Sequence, residues 1–198
     1  YPSYDAEAAM EELQSYIDDP DRSDGEAPGT PVSFRFDCPP DPSLNELSQM
    51  YESLWTSVGF DVELRQVEQA THVDEAISGD YQAKCFRFGE QYDPAIVLRN
   101  LFELDSPQNY ANYDNADVRE MITALHAEDD LETRQELVRD ISVQVNEDAP
   151  LLFTANTLTG IIVQDHVRNV DGWTFPDGAE GSGVPSATVV WNTIWTVE

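Results

Sequence analysis

Apolar residues recur along the chain at two spacings, which predict a succession of helices and strands. In residues 4–17, Ala6, Met10, Leu13 and Ile17 fall on one helical face, whereas residues 32–36 alternate between apolar and polar side chains, as in a strand. Corresponding patterns predict further helices over 44–57, 71–79, 95–103, 116–127 and 131–146, and further strands over 60–67, 81–88, 149–156 and 160–164.

The alternation of these elements favours an α/β fold, in which a mainly parallel sheet is flanked by helices. Strands separated by helices are joined by crossovers, which keep successive strands parallel and cover both faces of the sheet. Asp41 or Ser43 can cap the second helix. Gly59 and Gly79 are placed to end the second and third helices. Residues 165–198 lack the alternation, so we expect a tail there with few local partners.

Acidic side chains dominate the composition: the chain carries 39 Asp and Glu against 10 Lys and Arg, a formal net charge of −29. Nucleic acid is therefore excluded as a partner, because phosphate-binding surfaces need clustered Lys and Arg. Binding to an anionic membrane surface is disfavoured for the same reason. The acids are spread along the whole chain, which indicates a halophilic surface, adapted to concentrated salt; the alternative is an acidic domain from a non-halophile. In about 1 M salt the Debye length is about 3 Å, so neighbouring carboxylates repel one another only weakly.

Neither the start of the chain nor its two cysteines settles the cellular compartment. The chain begins with Tyr1 and shows neither a signal-peptide pattern nor an apolar run of membrane-spanning length, so we interpret it as a fragment of a longer protein. Cys38 and Cys85 could pair with each other. Each lies in or beside an apolar strand pattern, however, which favours two buried free thiols.

The sequence offers no catalytic or metal-binding motif. His72, His126 and His166 lack metal-ligand spacing, and there is no nucleophile elbow, P-loop or dinucleotide-binding glycine pattern. His72 precedes Asp74 at the start of a predicted helix, which indicates an exposed histidine beside a capping acid. The acidic stretch 18–31 does not fit a calcium-binding EF-hand loop and indicates a solvated loop. The residues therefore give no positive support for an enzyme, and they indicate no cofactor.

The segment that most favours a ligand site runs from Lys84 to Pro94 and reads KCFRFGEQYDP. It leads from a predicted strand end through a loop into a helix, and ligands of open α/β sheets bind outside the carboxyl ends of the strands. Asp93 followed by Pro94 is typical of a helix start, with Asp93 as the cap. Glu90 lies in the loop, where its carboxylate could meet a ligand cation.

Four stretches of the chain, taken in order, resemble motifs of one protein family. They read YDAEAAMEEL from residue 4, LWTSVGFDVELRQVE from residue 54, GDYQAKCFRFGEQYDPAIVLRNLF from residue 79, and NYANYDNADVREMI with ETRQELVRDISVQVNEDAPLL from residues 109 and 132. Together they resemble the C-terminal part of the family 5 extracellular solute-binding proteins. These are the dipeptide-, oligopeptide- and nickel-binding components of ABC importers.

This resemblance implies a type II periplasmic-binding-protein fold, whose two lobes close on a ligand. Residues 1–164 would form most of the second, C-terminal lobe, and residues 165–198 a tail that returns toward the absent first lobe. The protein would act at the extracellular face of the membrane, held by a lipid anchor on a preceding segment. It would deliver a peptide or similar small solute to the permease subunits of an ABC transporter.

The resemblance also implies candidate ligand-binding residues. Peptide-binding members have an acid four residues before the Asp-Pro proline, which holds the peptide amino terminus and corresponds to Glu90. Some carry a basic residue ten before that proline, near the peptide carboxylate, which corresponds to Lys84. The family commonly has Trp seven before the proline, where this chain has Arg87, and this departure leaves the ligand class open. Phe88 and Tyr92 are candidate cleft walls, or aromatic residues that pack in the fold.

Two other functions stay open on the sequence. The same fold could serve as a solute-sensing or regulatory module attached to another domain, a question that the upstream sequence would decide. A nickel- or metallophore-binding member is the second alternative, for which the three histidines offer weak support.

Overall fold

The predicted alternation of helices and strands is confirmed through the first part of the chain. A computed structural model describes residues 3–88, 93–154, 161–170, 174, 178–181 and 194–197. Their helices are α1 (Ala6–Asp18), α2 (Pro42–Val58), α3 (Gln69–Ser78), α4 (Pro94–Phe102), α5 (Ala116–Ala127) and α6 (Leu131–Asp148). Their strands are β1 (Ser33–Cys38), β2 (Asp61–Gln66), β3 (Ala83–Lys84), β4 (Val167–Arg168) and β5 (Trp195–Thr196).

The described residues form two compact units. One comprises residues 3–87 and Pro94–Leu151, and the other comprises Phe88, Asp93 and the described residues from Leu152 onward. Neither unit contains, in its described part, a helix that is both long and apolar enough to cross a bilayer.

A parallel sheet of three strands, in the order β2-β1-β3, forms part of the first unit. β1 pairs with β2 along its whole length, in a register that places Ser33 opposite Asp61. β3 pairs with β1 through Ala83 and Lys84 and is also parallel to it. A parallel sheet flanked by helices confirms the predicted fold class.

β3 is much shorter than the strand predicted over 81–88. Its partner β1 ends at Cys38, and the next two residues are prolines, which have no backbone N–H to continue a ladder. The Cys85 N–H still donates to the Asp37 carbonyl at 2.8 Å, and the strand ends there. The predicted extent is therefore wrong, because alternation within one segment does not show where the neighbouring strand stops.

The two faces of β1 differ in chemistry. Phe34 and Phe36 lie toward α2, where both rings contact Trp55 at centroid separations of 5.4 and 4.9 Å. Arg35 and Asp37 alternate with them and so lie on the opposite face. Each edge-to-face aromatic contact contributes about 0.5–1.5 kcal/mol beyond the area it buries. The apolar face of β1 therefore anchors α2 on one side of the sheet.

Capping residues set several helix ends where the sequence predicts them. Asp41 caps α2 by accepting hydrogen bonds from two backbone N–H groups of its first turn. Gly59 ends the same helix in the left-handed conformation, with φ of 114°, and Gly79 ends α3 with φ of 76°. Asn115 caps α5, which spans the predicted residues 116–127. These ends depend on local chemistry, which explains why the sequence locates them.

A hydrophobic core joins α4, α5 and α6. Its buried side chains recur at helical spacing, as the sequence pattern predicts. They are Ala95, Leu98, Leu101, Phe102, Val118, Ile122, Leu125, Ile141 and Val145. The Tyr113 hydroxyl donates to the Asp148 carboxylate at 2.5 Å, which ties the chain before α5 to the end of α6.

The loop between α1 and β1 is built around a buried arginine. The Arg22 side chain is 1% exposed and pairs with Asp24 at 2.5 Å, and it donates to the Thr30 carbonyl at 2.6 Å. Its guanidinium also lies 5.0 Å from the centre of the Tyr16 ring. The predicted solvated loop over 18–31 is confirmed for its other residues, which are exposed apart from the partly buried Thr30, and Arg22 is the exception that ties this loop to α1.

Two strands predicted after α6 are not found in the described residues. Residues 149–154 and 161–164 contain no strand. α6 runs on to Asp148, and Ala149 ends it in the left-handed conformation, with φ of 50°. Leu151 then packs against the helical core. A short apolar run can therefore bury a side chain without forming a strand, which its pattern alone does not reveal.

The second unit contains a small antiparallel sheet. β4 pairs with β5, with Val167 opposite Thr196. An isolated antiparallel bridge joins Thr174 and Glu180. Part of residues 165–198 thus has a partner within the chain, a pairing that the sequence pattern does not indicate.

Candidate functional site

The carboxyl ends of the three parallel strands define the candidate functional site. β1 ends at Cys38, β2 at Gln66 and β3 at Lys84. Because the three strands run in the same direction, the segments that follow them emerge at one edge of the sheet. Ligands of open α/β sheets ordinarily bind at this carboxyl edge.

A disulfide joins two of these strand ends. Cys38, the last residue of β1, is bonded to Cys85, the residue after β3, and their Cα atoms are 4.9 Å apart. The expectation of two buried free thiols is therefore wrong. The bond depends on β1 and β3 being neighbours, and a separation of 47 residues hides that adjacency in the sequence. The crosslink fixes the chain where it enters the predicted ligand segment.

Lys84 points into the protein. Its side chain is 3% exposed, its ammonium lies 3.1 Å from the Glu75 carboxylate, and it donates to the His72 carbonyl at 2.8 Å. The centre of the Tyr81 ring lies 5.5 Å from the ammonium. α3 therefore neutralises this charge, and the predicted role of Lys84 near a ligand carboxylate stays a prediction.

Lys84 belongs to a series of ion pairs on the polar side of the sheet. We call Arg35, Asp37, Arg65, Glu75 and Lys84 the buried ionic cluster. Asp37 is fully buried and accepts from Arg65 at 2.7 Å and from Arg35 at 3.3 Å. Arg65 also lies 3.4 Å from Glu75. The hydrogen bond with Asp37 raises the pKa of Arg65 above its ordinary value. The cluster thus connects the three strands to α3 through opposite charges.

His72 is buried beside this cluster. It is 2% exposed, its Nε2 atom lies 2.7 Å from the Cys85 carbonyl oxygen, and its ring stacks on Phe86. Burial lowers the pKa of His72 below its ordinary value. The expectation of an exposed histidine beside a capping Asp74 is wrong, because Glu68 caps α3 and His72 lies on the helix side that contacts the chain after β3.

Arg87 lies close to the carboxyl edge, with its side chain 50% exposed. Its Nη2 atom donates to the Asp41 carboxylate at 3.3 Å and lies 3.0 Å from the Ser43 hydroxyl, both at the start of α2. Hydrogen bonding to the Ser43 hydroxyl lowers the pKa of Asp41 most, and hydrogen bonding to the backbone of α2 lowers it further. Asp41 therefore presents a carboxylate to Arg87 and caps the helix at the same time.

The other predicted site residues are only partly described. Phe88 is 41% exposed. Asp93 directly precedes Pro94, the first residue of α4, in agreement with the predicted helix start. Glu90 and Tyr92 lie outside the described residues. A shared role of these residues in a ligand site stays a prediction.

Sequence reasoning missed the charged residues that support this edge. Asp37 and Arg65 occupy positions inside β1 and β2. Both stand at polar positions of strands that alternate apolar and polar residues, and Asp37 lies directly opposite Arg65. Opposite charges on paired strands are the signal that could have revealed this pairing, since an unpaired buried charge is costly. Within the described parts of the chain, no group of His, Cys, Asp and Glu is arranged to hold a metal ion.

Comparison with known proteins identifies one relative by sequence. No protein-family model matches the chain. The dipeptide-binding protein of Escherichia coli (strain K12) is 22% identical over 171 residues, which cover 80% of this chain and 32% of that protein. The chain therefore spans about a third of the length of this relative.

Solved structures show the same fold. Haemophilus influenzae OppA, in complex with the peptide RPPGFSPFR, matches 98% of this chain over 35% of its own length, at a TM-score of 0.74 and 18% identity. The oligopeptide-binding protein AppA from Bacillus subtilis, in complex with a nonapeptide, matches 76% of this chain over 32% of its own, at a TM-score of 0.65 and 17% identity. The chain is thus similar in sequence to a dipeptide-binding protein, and it has the fold of about a third of an oligopeptide-binding protein.

Proposed function

We propose that the chain is the second lobe of a solute-binding protein, which captures peptides or related small solutes outside the cell for an ABC importer. The observation that carries this proposal is the match of 98% of the chain to the OppA–peptide complex. Residues 1–164 would form the lobe, and residues 165–198 would run on toward a first lobe. The permease subunits of the importer would be its protein partners. Such a role needs neither catalysis nor a cofactor.

The Cys38–Cys85 disulfide supports a location outside the cytoplasm. Disulfides persist in oxidising compartments and are rare in the reducing cytosol. Solute capture at the outer face of the membrane places the protein in an oxidising compartment. A lipid anchor on a preceding segment is the proposed means of attachment there.

The proposed ligand contacts follow from charges near the carboxyl edge. Glu90 would neutralise a ligand ammonium, a charge-assisted bond worth about 1.5–3 kcal/mol. Arg87, whose side chain is 50% exposed, would bind a ligand carboxylate or carbonyl alongside its contact with Asp41. Phe88 and Tyr92 would contribute apolar walls.

Lys84 would act on the ligand in a different way. Its ammonium is buried and paired with Glu75 at 3.1 Å, so a direct ligand contact would have to displace that carboxylate. We therefore propose that Lys84 contributes by holding β3 against α3. The positive charge near the peptide carboxylate would then come from Arg87.

Titration calorimetry of the complete protein in concentrated KCl tests the proposal with peptides of two to nine residues. Peptides should bind, and Glu90→Gln should weaken binding by about 10- to 150-fold, which corresponds to a charge-assisted bond of about 1.5–3 kcal/mol. Acetylation of the peptide amino terminus should weaken binding to the wild type by a similar factor. It should weaken binding to the Glu90→Gln variant much less. Glu136→Gln, at an exposed position on α6, should leave affinity unchanged.

Two outcomes would contradict parts of this proposal. If no peptide binds, the peptide-binding function is wrong, whether or not a nickel–histidine complex binds. If peptides bind and Glu90→Gln leaves their affinity intact, the solute-binding function stands and Glu90 is not part of the site.

We further propose that the surface is adapted to concentrated salt. The chain has a net charge of −29, and Asp37 is the one acid that is buried among the described residues. The thermal midpoint should rise strongly between about 0.01 M and 1 M KCl, as the Debye length falls from about 30 Å to about 3 Å. Sucrose, which stabilises without screening charge, should reproduce only a small part of the rise. Equal midpoints at the two KCl concentrations would contradict the adaptation.

A further inference from the structure

His72 links α3 to the chain that follows β3. Its Nε2 atom lies 2.7 Å from the Cys85 carbonyl oxygen, and its ring is stacked on Phe86, with centroids 6.0 Å apart and planes at 19°. Arg87, a proposed ligand contact, follows immediately. His72 therefore helps to fix the position at which the chain leaves the sheet and approaches the proposed site.

The hydrogen bond of His72 defines its protonation state. A carbonyl oxygen can only accept, so Nε2 carries the hydrogen. Nδ1 is buried and has no hydrogen-bond partner within the described structure. Protonation of Nδ1 would create a buried N–H without an acceptor and a buried positive charge, both of which are unfavourable. Burial accordingly lowers the pKa of His72.

The charged groups around His72 are already paired with one another. The titratable and charged groups that face it are Lys84 of β3, Asp37 of β1, Arg65 of β2, Glu75 of α3 and, beyond Phe86, the phenol of Tyr110. Arg65 engages both carboxylates, at 2.7 and 3.4 Å. Lys84 engages Glu75 at 3.1 Å and adds a positive charge beside His72. Asp37 and Glu75 still favour a charged His72 from a distance, but burial of the ring has the largest effect and lowers its pKa, and the positive charge of Lys84 acts in the same direction.

We infer that His72 is a pH-responsive positioning residue, an inference that rests on the proposed solute-binding function. At neutral pH its uncharged ring holds the Cys85 carbonyl. In mildly acidic solution the protonated ring leaves its buried position, which loosens residues 85–87 and weakens ligand binding. The disulfide keeps Cys85 joined to Cys38, so the change is local and reversible.

The pH dependence of peptide affinity in the complete protein tests this inference. Between pH 7.0 and 5.5 the wild-type affinity should fall by up to about tenfold, since one proton allows at most a tenfold change per pH unit below the ordinary histidine pKa of about 6.5. His72→Gln should be nearly flat over this range, because the Gln amide can donate to the Cys85 carbonyl without titrating. His126→Gln, at the exposed end of α5, is the matched control and should follow the wild type.

Hydrogen exchange without ligand distinguishes failure of this inference from failure of the proposed function. The Cys85 amide donates to the Asp37 carbonyl at 2.8 Å. Its protection, corrected for the intrinsic exchange rate, should fall between pH 7.0 and 5.5 in the wild type and stay constant in His72→Gln. If no peptide binds at pH 7.0, the proposed function fails, and the exchange measurement still tests the role of His72.

An affinity of the wild type that does not change with pH would overturn the inference. Equal pH dependence in the wild type and His72→Gln would also overturn it. If His72→Gln does not fold, an NMR titration of the wild-type imidazole takes its place. The amide resonances of residues 85–87 should then shift over the same pH range in which His72 titrates. Amide resonances that do not follow the titration of His72 would overturn the inference.

Discussion

Replacing Asp37 with alanine should lower the free energy of unfolding by about 3 kcal/mol, the lower end of the range for removing one partner of a buried ion pair. Asp37 is fully buried and accepts hydrogen bonds from Arg65 at 2.7 and 2.9 Å and from Arg35 at 3.3 Å. Its loss leaves two guanidinium groups without the carboxylate that they share. Both arginine side chains are partly exposed, at 34% and 26%, so water compensates part of the loss.

Urea unfolding measures this effect, with Asp80→Ala as the matched control. Asp80 also pairs with Arg35, at 3.2 Å, but its side chain is 75% exposed, and exposed ion pairs contribute little to stability. Asp37→Asn keeps the size of the side chain and one acceptor while it removes the charge, so its effect should be intermediate. Equal midpoints for Asp37→Ala and Asp80→Ala would contradict a stabilising role for the buried ionic cluster.

Salt should separate this buried interaction from the charges on the surface. Screening acts strongly on exposed charges and much less on buried pairs. The loss caused by Asp37→Ala should therefore be similar in dilute and in concentrated KCl, while the wild-type midpoint itself changes with salt. The net charge of −29 and the buried ionic cluster thus influence stability through different mechanisms.

Helix positions are predictable from this sequence because their determinants are local. Asp41 begins α2 through its side chain, which caps the helix, and Gly59 ends α2 through its left-handed backbone. Sheet edges are less predictable, because they depend on residues far away in the chain. The carboxyl end of β3 follows from where β1 ends, and no pattern within residues 81–88 contains that information.

Burial of polar residues is the other property that the sequence does not reveal. The apolar pattern places Arg22 and His72 in solvent, yet they are 5% and 2% exposed. Their partners come from other segments, such as the Cys85 carbonyl for His72. The carboxyl-edge rule predicts the region of the candidate site. The contacts of Glu90 stay a prediction, because this residue lies outside the described part of the chain.

Reduction of the Cys38–Cys85 disulfide should lower the free energy of unfolding by about 4 kcal/mol, the value expected for a crosslink that closes a loop of this length. The separation of 47 residues makes the constraint on the unfolded chain large. The chain contains two cysteines, so a thiol reductant acts at this single bond. The urea midpoint should fall, and the slope of free energy against urea should rise, because the reduced unfolded chain exposes more surface.

The Cys38→Ala/Cys85→Ala double variant separates loss of the crosslink from any other effect of the reductant. It should unfold at the midpoint of the reduced wild type and should not respond to reductant. Because β3 pairs with β1 through its two residues, hydrogen exchange should increase around the Cys85 amide relative to the helical core of α4, α5 and α6. If thiol labelling confirms reduction and both the midpoint and this exchange stay unchanged, the contacts of Lys84 and His72 are sufficient to hold β3.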